Sequence, residues 1–288
     1  MEDFKVSAVQ MNALKDDLDH NLDVHVRFTE EAASAGSAVV LFPELSVTAH
    51  YGDPEAVKFA HEAKRGRTYS LMCDLARKHD IVIGYGFCEI AHGTHYNSMA
   101  FVGPKGMIGV QRKLHASCDE YLVFRMGRSL ETLDFGFCTA GALICYDWSF
   151  SELWRILALR GVELVLQPNA GRCGGRGMGK EVSVEEQLER QRKKQAVGPT
   201  GLSLNASDNG LFAVSCGQVG YNGHSTHGGG AAIVDPFGEV LVRSEPTVED
   251  TLISADLQAA RLEEAHRKVN FILRSRRPEL YGELTEMI

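Results

Sequence analysis

The run "AVVLF" at 38–42 is apolar at every position. Successive side chains of a strand point to opposite faces, so a run without polar alternation suits a strand covered on both sides. Cover on both sides requires helices or a second sheet, which commits the chain to a layered α/β architecture. The neighbouring segments agree. "FKVSAVQ" (4–10) has period two and puts Phe4, Val6 and Ala8 on one face. Between it and "AVVLF" a helix is expected over Asp19 to Ala35, with Asp or Asn available to cap it and Gly36 to end it. A further helix is expected from about Thr68 to His79, then strand "IVIGYGF" (81–87), then "NSMAFVG" (97–103) turned by "GPKG" into "MIGVQR" (107–112) as a hairpin.

The second half follows a similar order. "FCTAGALIC" (137–145) reads as a strand, Glu152 to Arg160 as a helix closed by Gly161, and "VELVLQP" (162–168) as the next strand. A polar helix over roughly 183–196, strand "LFAVSCGQV" (211–219), a hairpin over 230–244 turning at Asp235-Pro236-Phe237-Gly238, strand "TLISADL" (251–257) and a last helix complete the pattern. That is more strand than one sheet holds, so two mixed sheets with helices are expected. No linker or fixed-period repeat divides the 288 residues, and a single domain over 1–288 is expected. The glycine-rich tract "GRCGGRGMGK" (171–180) reads as a mobile loop.

Formal net charge is −8 with Lys and Arg scattered, which argues against nucleic acid or a membrane surface as partner and leaves a small-molecule substrate. The acidic, strand-like start lacks the basic and apolar regions of a signal peptide, and a cytoplasmic location is expected. Seven cysteines, an odd number without a CxxC pair, point to free thiols.

One of those thiols sits in a suggestive place. In "GALICYDWSFSELWR" (141–155), Cys145 ends a strand just before a helix, as at a nucleophile elbow. Ser149 and Glu152 have capping-box spacing, and a helix start there would favour thiolate over thiol. The plain alternative is a packed core cysteine. A nucleophile also needs a base and an oxyanion partner, and Glu44 in "VVLFPELS" and Lys113 in "VQRKLH" each follow a strand directly. Singly, each reads better as a solvated loop charge.

Other chemistries compete. "GGRGMGKE" (174–181) has P-loop spacing, but Glu181 stands where Ser or Thr would hold magnesium. His115-x-x-Cys118 and His224-x-x-His227 are four candidate zinc ligands, and Cys118 is a rival nucleophile with Asp119 and Glu120 beside it.

Taken together and in order, "LFPELS", "RKLH" and "CYDWSFSELWR" resemble the motifs of the nitrilase superfamily of carbon–nitrogen hydrolases. The resemblance runs from "VSAVQMN" to "AAIVDPFGEVL". It implies a four-layer αββα sandwich and a catalytic triad of Glu44, Lys113 and Cys145, with Glu120 in "DEYLVFRMG" as an additional active-site carboxylate ahead of Gly127. It also implies a thioester route for a small linear amide or N-carbamoyl amine, with no metal or cofactor, and a homodimer or larger homo-oligomer, for which the helix and tail from about 258 are expected to supply contacts. A nitrile substrate and a non-catalytic binding protein are the alternatives. Candidate substrate contacts are Tyr51, Trp148, Asn169 and Arg172, with Arg125 and Arg176 as further cations. Several positions depart from the family pattern: Trp148 stands where Arg is common, Met126 where Pro is expected, Ala in "GGGAAIVDP" for Ser, and Gly217 for Asn.

Overall fold

The computed structural model describes residues 1–50, 54–173, 181–269 and 271–286. The expected strand at the start is β1, Phe4–Gln10. Helix α1, Leu18–Ser34, follows, its first turn held by the Asp17 carboxylate accepting from the His20 backbone N–H. Then come β2 (Ser37–Leu41), α2 (Gly66–His79), β3 (Val82–Ala91), β4 (Thr94–Gly103) and β5 (Gly106–Arg112). The second half supplies β6 (Leu133–Asp134), β7 (Thr139–Ala142), α3 (Ser151–Leu159), β8 (Leu164–Asn169), α4 (Val184–Val197), α5 (Thr200–Asn209) and β9 (Phe212–Gly217). A short ribbon of β10 (Val219–Tyr221) and β11 (Thr226–Gly228) precedes β12 (Ala231–Val234), β13 (Val240–Arg243), β14 (Thr251–Leu257) and α6 (Ala259–Arg267).

The strands form two mixed six-stranded sheets, ordered β14-β1-β2-β3-β4-β5 and β13-β12-β9-β8-β7-β6. Each has a parallel trio at its centre, β1-β2-β3 in one and β7-β8-β9 in the other, flanked by antiparallel neighbours. The strand alternation sorts the core into three apolar layers. Val6, Leu41, Met99 and Phe101 of the first sheet meet Ala140, Leu166, Phe212 and Ile233 of the second. On the outer face of the first sheet, Val40, Ile83 and Tyr85 pack with Leu22 and Phe28 of α1 and Met72 of α2. On the outer face of the second, Val165, Ala213 and Val234 pack with Trp154 and Leu157 of α3 and Leu202 and Ala206 of α5. The result is the αββα sandwich.

Three local expectations are corrected. The strand expected over 137–145 spans only Thr139–Ala142, because the chain turns at Cys145 into a 3-10 turn, Cys145–Ser149. Ser149 does not cap the following helix: α3 starts after Phe150 without a side-chain cap, and Ser149 is the last residue of the 3-10 turn. Helix α5, "TGLSLNASDN", was not expected, since its glycine, serine and asparagine content favours a loop. Burial of Leu202 and Ala206 against the sheet overrides that preference.

All seven cysteines are free. Among the described residues no helix is long and apolar enough to cross a membrane. Most of the glycine-rich tract, including Arg176 and the glycines of the P-loop-like motif, lies outside the described residues, as does Tyr51.

Candidate active site

Two tight approaches place the charged residues. After β2 the chain turns through Pro43, Glu44 and Leu45, the last with φ of 49°. Strand β3 passes directly beneath this turn. A Cβ on Gly86 would lie 2.2 Å from the Leu45 nitrogen and 2.5 Å from the Pro43 carbonyl oxygen, so the second glycine of "IVIGYGF" is what lets the Glu44 turn settle on the sheet. Lys113 immediately follows β5. Its N–H donates to the Asn97 carbonyl at 2.8 Å and its carbonyl accepts from Gly127 at 2.7 Å. A Cβ on Gly127 would come within 2.8 Å of the Arg112 carbonyl oxygen.

The side chains converge in a buried charge cluster. Lys113 Nζ donates to Glu44 Oε1 at 2.7 Å and lies 2.8 and 2.7 Å from the two oxygens of Glu120. Asn97 Nδ2 donates to Glu44 Oε1 at 2.7 Å and more weakly to Glu120 Oε1 at 3.3 Å. The Ser117 N–H donates to Glu120 Oε2 at 2.6 Å, and His50 Nε2 stands 3.0 Å from Glu120 Oε1. Lys113 is 1% exposed and Glu44 fully buried. Charges out of water persist only where they are paired and hydrogen-bonded, as these are. Burial opposes the Lys113 charge, but the Glu44 and Glu120 carboxylates around it hold the ammonium well above its ordinary range. Burial likewise opposes the Glu120 charge, and Lys113 and His50 outweigh it and hold the carboxyl well below the usual range. Glu44 Oε2 is different: it is buried with no hydrogen-bond partner among the described residues.

Cys145 arrives from the other sheet. It opens the 3-10 turn after β7 and has φ of 48°, the strained backbone of a sharp elbow. Asp147 organises that turn: its carboxylate accepts from the backbone N–H groups of Ile144, Leu114 and His115, at 3.2, 3.2 and 2.8 Å, and so ties the turn to the residues after Lys113. The expectation that a helix start favours the thiolate is overturned. Burial and then the Glu44 charge push the Cys145 thiol far up, Glu120 adds to this, and Lys113 with a hydrogen bond from the Ala170 backbone only partly offsets it. α3 begins six residues later, too far to compete with the adjacent carboxylate. The free protein therefore holds a thiol beside a carboxylate.

The remaining sequence candidates are placed as follows. Trp148 and Asn169 both line a cavity of about 730 Å³ on the outer face of the second sheet, with Gln167, Ser215 and the loop before α5. None of Glu44, Lys113, Glu120 or Cys145 lines it. Gln218 does, and its Nε2 donates to the Glu44 carbonyl at 2.7 Å, so the cavity and the charge cluster share that side chain. Trp148 packs so tightly on α5 that a Cβ on Gly201 would lie 2.4 Å from its ring. Asn169 Nδ2 donates to Ser215 Oγ and the Gln167 carbonyl, both at 3.0 Å. Arg172 pairs with His227 in an isolated bridge and is not part of the cavity wall.

The four zinc candidates do not come together as a metal group among the described residues. His115 Nδ1 bonds Asp147 at 3.0 Å and its ring stacks on Phe150, whereas His227 is buried and bonded to the Ala170 carbonyl. Cys118 is exposed. The one described group with metal-like spacing is Glu44, His50 and Glu120, and the cation among those carboxylates is the Lys113 ammonium. His50, Asn97, Asp147 and Gln218 are the site's additional members. Only Asp147, two residues after Cys145, had a position in the sequence that could have drawn attention to it.

The chain is similar to known proteins over nearly its whole length. An (R)-stereoselective amidase of Pseudomonas sp is 30% identical over 98% of this chain and 94% of its own. The crystal structure of a carbon–nitrogen hydrolase from Helicobacter pylori G27 superposes with a TM-score of 0.83 at 23% identity, covering 99% of both chains. An amidase from Nesterenkonia sp. AN1, seen with the acetamide moiety of fluoroacetamide added to its active-site cysteine, superposes with a TM-score of 0.76 at 22% identity, over 98% of this chain and 97% of that one. The model of the carbon–nitrogen hydrolase family matches residues 5–267, a span holding both sheets, the buried charge cluster and the cysteine elbow, and the chain accordingly belongs to that family.

Proposed function

We propose that the protein hydrolyses the carbon–nitrogen bond of a small linear amide or N-carbamoyl amine, with Cys145 as nucleophile, Glu44 as general base and acid, and Lys113 as oxyanion partner. The observation that carries this reading is the nearness of a half-buried thiol, pushed far up, to a buried carboxylate that has one oxygen engaged by Lys113 and Asn97 and the other without a hydrogen-bond partner among the described residues. A thiol kept protonated needs a base at the moment of attack, and the Glu44 carboxylate, whose charge acts on the thiol and whose Oε2 is unengaged, is the acceptor available to it.

The steps balance on these groups. Glu44 Oε2 takes the Cys145 proton as the sulfur attacks the carbonyl carbon, and the resulting oxyanion is stabilised by the Lys113 ammonium. Collapse breaks the C–N bond, Glu44 passes its proton to the departing ammonia or amine, and a thioester remains on Cys145. A water molecule deprotonated by Glu44 then attacks the thioester, releasing the acid and returning the proton to sulfur. Glu120 stays ionised throughout, since its carboxylate is held down by Lys113 and His50, so it holds the ammonium and moves no proton. The amidase relatives support the amide as substrate class. As further parts of this proposal, Trp148 and Asn169 bound the space next to the site, and the protein works as a homo-oligomer.

Intact-protein mass spectrometry after mixing with linear amides and N-carbamoyl amines provides the test. The expected result is an acyl adduct on Cys145 with the wild-type protein, little or none with Glu44→Gln, which lacks the base for the attack and the acid for the leaving amine, and none with Cys145→Ala. Turnover that survives Cys145→Ala would rule the proposal out.

A further inference from the structure

Behind Glu120 stands a histidine whose geometry is too specific for a filler of space. His50 lies six residues after Glu44 and is 7% exposed. Its Nε2 meets Glu120 Oε1 at 3.0 Å. An ionised carboxylate only accepts hydrogen bonds, so the proton in that contact belongs to Nε2. Nδ1 is buried with no partner among the described residues. As a bare ring nitrogen it wastes one acceptor, whereas a second N–H would leave a buried donor unsatisfied and put another cation near Lys113. The surroundings therefore select the Nε2–H tautomer. The charged and titratable groups facing the ring are Glu120, Glu44, the Lys113 ammonium bridging them, and the His227 ring, edge-on at 5.8 Å between centroids.

His50 is also tied to the cysteine side. Asn222 Nδ2 donates to the His50 carbonyl at 3.0 Å and lies 3.2 Å from His227 Nε2. His227 Nδ1 reaches the Ala170 carbonyl at 3.0 Å, which makes Nδ1 its protonated nitrogen and Nε2 the acceptor for Asn222. Ala170 in turn is among the groups that act on the Cys145 thiol. A path of hydrogen bonds thus runs from Lys113 through Glu120, His50, Asn222 and His227 to Ala170, near the thiol, and His50 is its link to the charge cluster.

We propose that His50 is a positioning residue: its Nε2–H fixes the Glu120 carboxylate, and through it the Lys113 ammonium, where the oxyanion forms. The proposal rests on the roles of Glu120 and Lys113 given above. Without the imidazole, Glu120 Oε1 keeps only Lys113 and the long contact to Asn97, and the ammonium loses one side of its mount.

The test compares His50→Leu, which keeps much of the bulk without the donor, with His50→Gln, whose amide N–H can reach the place of Nε2. Turnover of the best linear amide and the rate of Cys145 alkylation by 2-chloroacetamide are both measured, each in the wild-type and in the Glu120→Gln background. His50→Leu is expected to lower kcat by about 10- to 100-fold with KM changed by less than about threefold, the pattern of a displaced group acting in the transition state. His50→Gln is expected to recover activity to within about fivefold of wild type, and His50→Leu to cost less than about twofold in Glu120→Gln, because a group acting only through Glu120 has nothing left to hold. Alkylation follows the same pattern and needs no turnover. Equal losses in the Leu and Gln variants, a full additional loss in the Glu120→Gln background, or a loss confined to KM would each overturn the assignment. Cys145→Ala serves as the control that separates it from the proposed function: if that variant still turns over, the reaction mechanism fails and not merely the role of His50.

Discussion

The two sheets contribute to the site in opposite ways. The first brings the charge cluster: Glu44 after β2, Lys113 after β5 and Glu120 in the next turn, locked to one another by hydrogen bonds of 2.7 to 2.8 Å. The second brings one thiol on a strained elbow, held by the backbone contacts of Asp147. The charged half is rigid because every ion in it needs its partners. The thiol half is built to present an atom, and strain at Cys145 is the local cost of exposing it. Preorganised charge on one side and an aimed nucleophile on the other is a division of labour, and it can be tested by loosening each side.

The largest effect should come from the charged side. Lys113→Met removes the cation shared by two buried carboxylates, and breaking a buried pair in this way costs about 3–5 kcal/mol of stability. Denaturant unfolding at pH 7 should show that loss, and lowering the pH should restore part of it as the stranded carboxylates take up protons. A loss below 1 kcal/mol would mean that the cluster is not the rigid half.

Next in size is an acid effect on both sides. His25, under the Glu44 turn, bonds the Asn21 carbonyl and Ser46 Oγ, and burial lowers its pKa to about 4. His227, under Ala170, is lowered to about 3, again chiefly by burial. Both are neutral in the fold and take up a proton on unfolding once the pH falls below about 6.5. Their contribution is complete above pH 6.5 and is lost as pH falls toward 4 for His25 and toward 3 for His227. For His25 this amounts to about 3 kcal/mol. Urea midpoints from pH 7 to pH 4 should fall accordingly, and His25→Gln should flatten part of that slope. An unchanged slope would remove His25 from the account.

The smallest effect belongs to the thiol side. Asp147→Asn keeps the shape but replaces an ion that accepts from three backbone N–H groups, and about 1–3 kcal/mol is expected. Activity should fall more than stability implies, because the turn that aims Cys145 relaxes. If activity tracks only the folded fraction, the elbow does not need Asp147 for its aim.

The ends of apolar strands were legible in the sequence, and with them Glu44, Lys113 and Cys145 in order. What joins them was not. Asn97 and His50 are single polar residues in a strand and a loop, and nothing along the chain distinguishes a polar residue aimed at a buried carboxylate from one aimed at water. What sets Asn97 beside both carboxylates is long-range: Glu44 lies 53 residues before it and Glu120 23 after it. The misjudged thiolate has the same origin: the helix start is visible locally, whereas the burial and the carboxylate that outweigh it come from the other sheet. Helix α5 was missed because its own residues argue against it and only packing argues for it.

Strand β14 pairs with β1 over seven consecutive partners, from Phe4 with Leu257 to Gln10 with Thr251. The first strand of the chain thus waits for nearly the last before its sheet is complete. During synthesis, Glu44, Lys113 and Glu120 emerge long before β14 can close over β1, and Cys145 emerges in between. Until residue 257 has cleared the ribosome, β1 presents an open edge, so the nascent protein passes through an extended period in which it is both unfinished and prone to pair with the wrong strand.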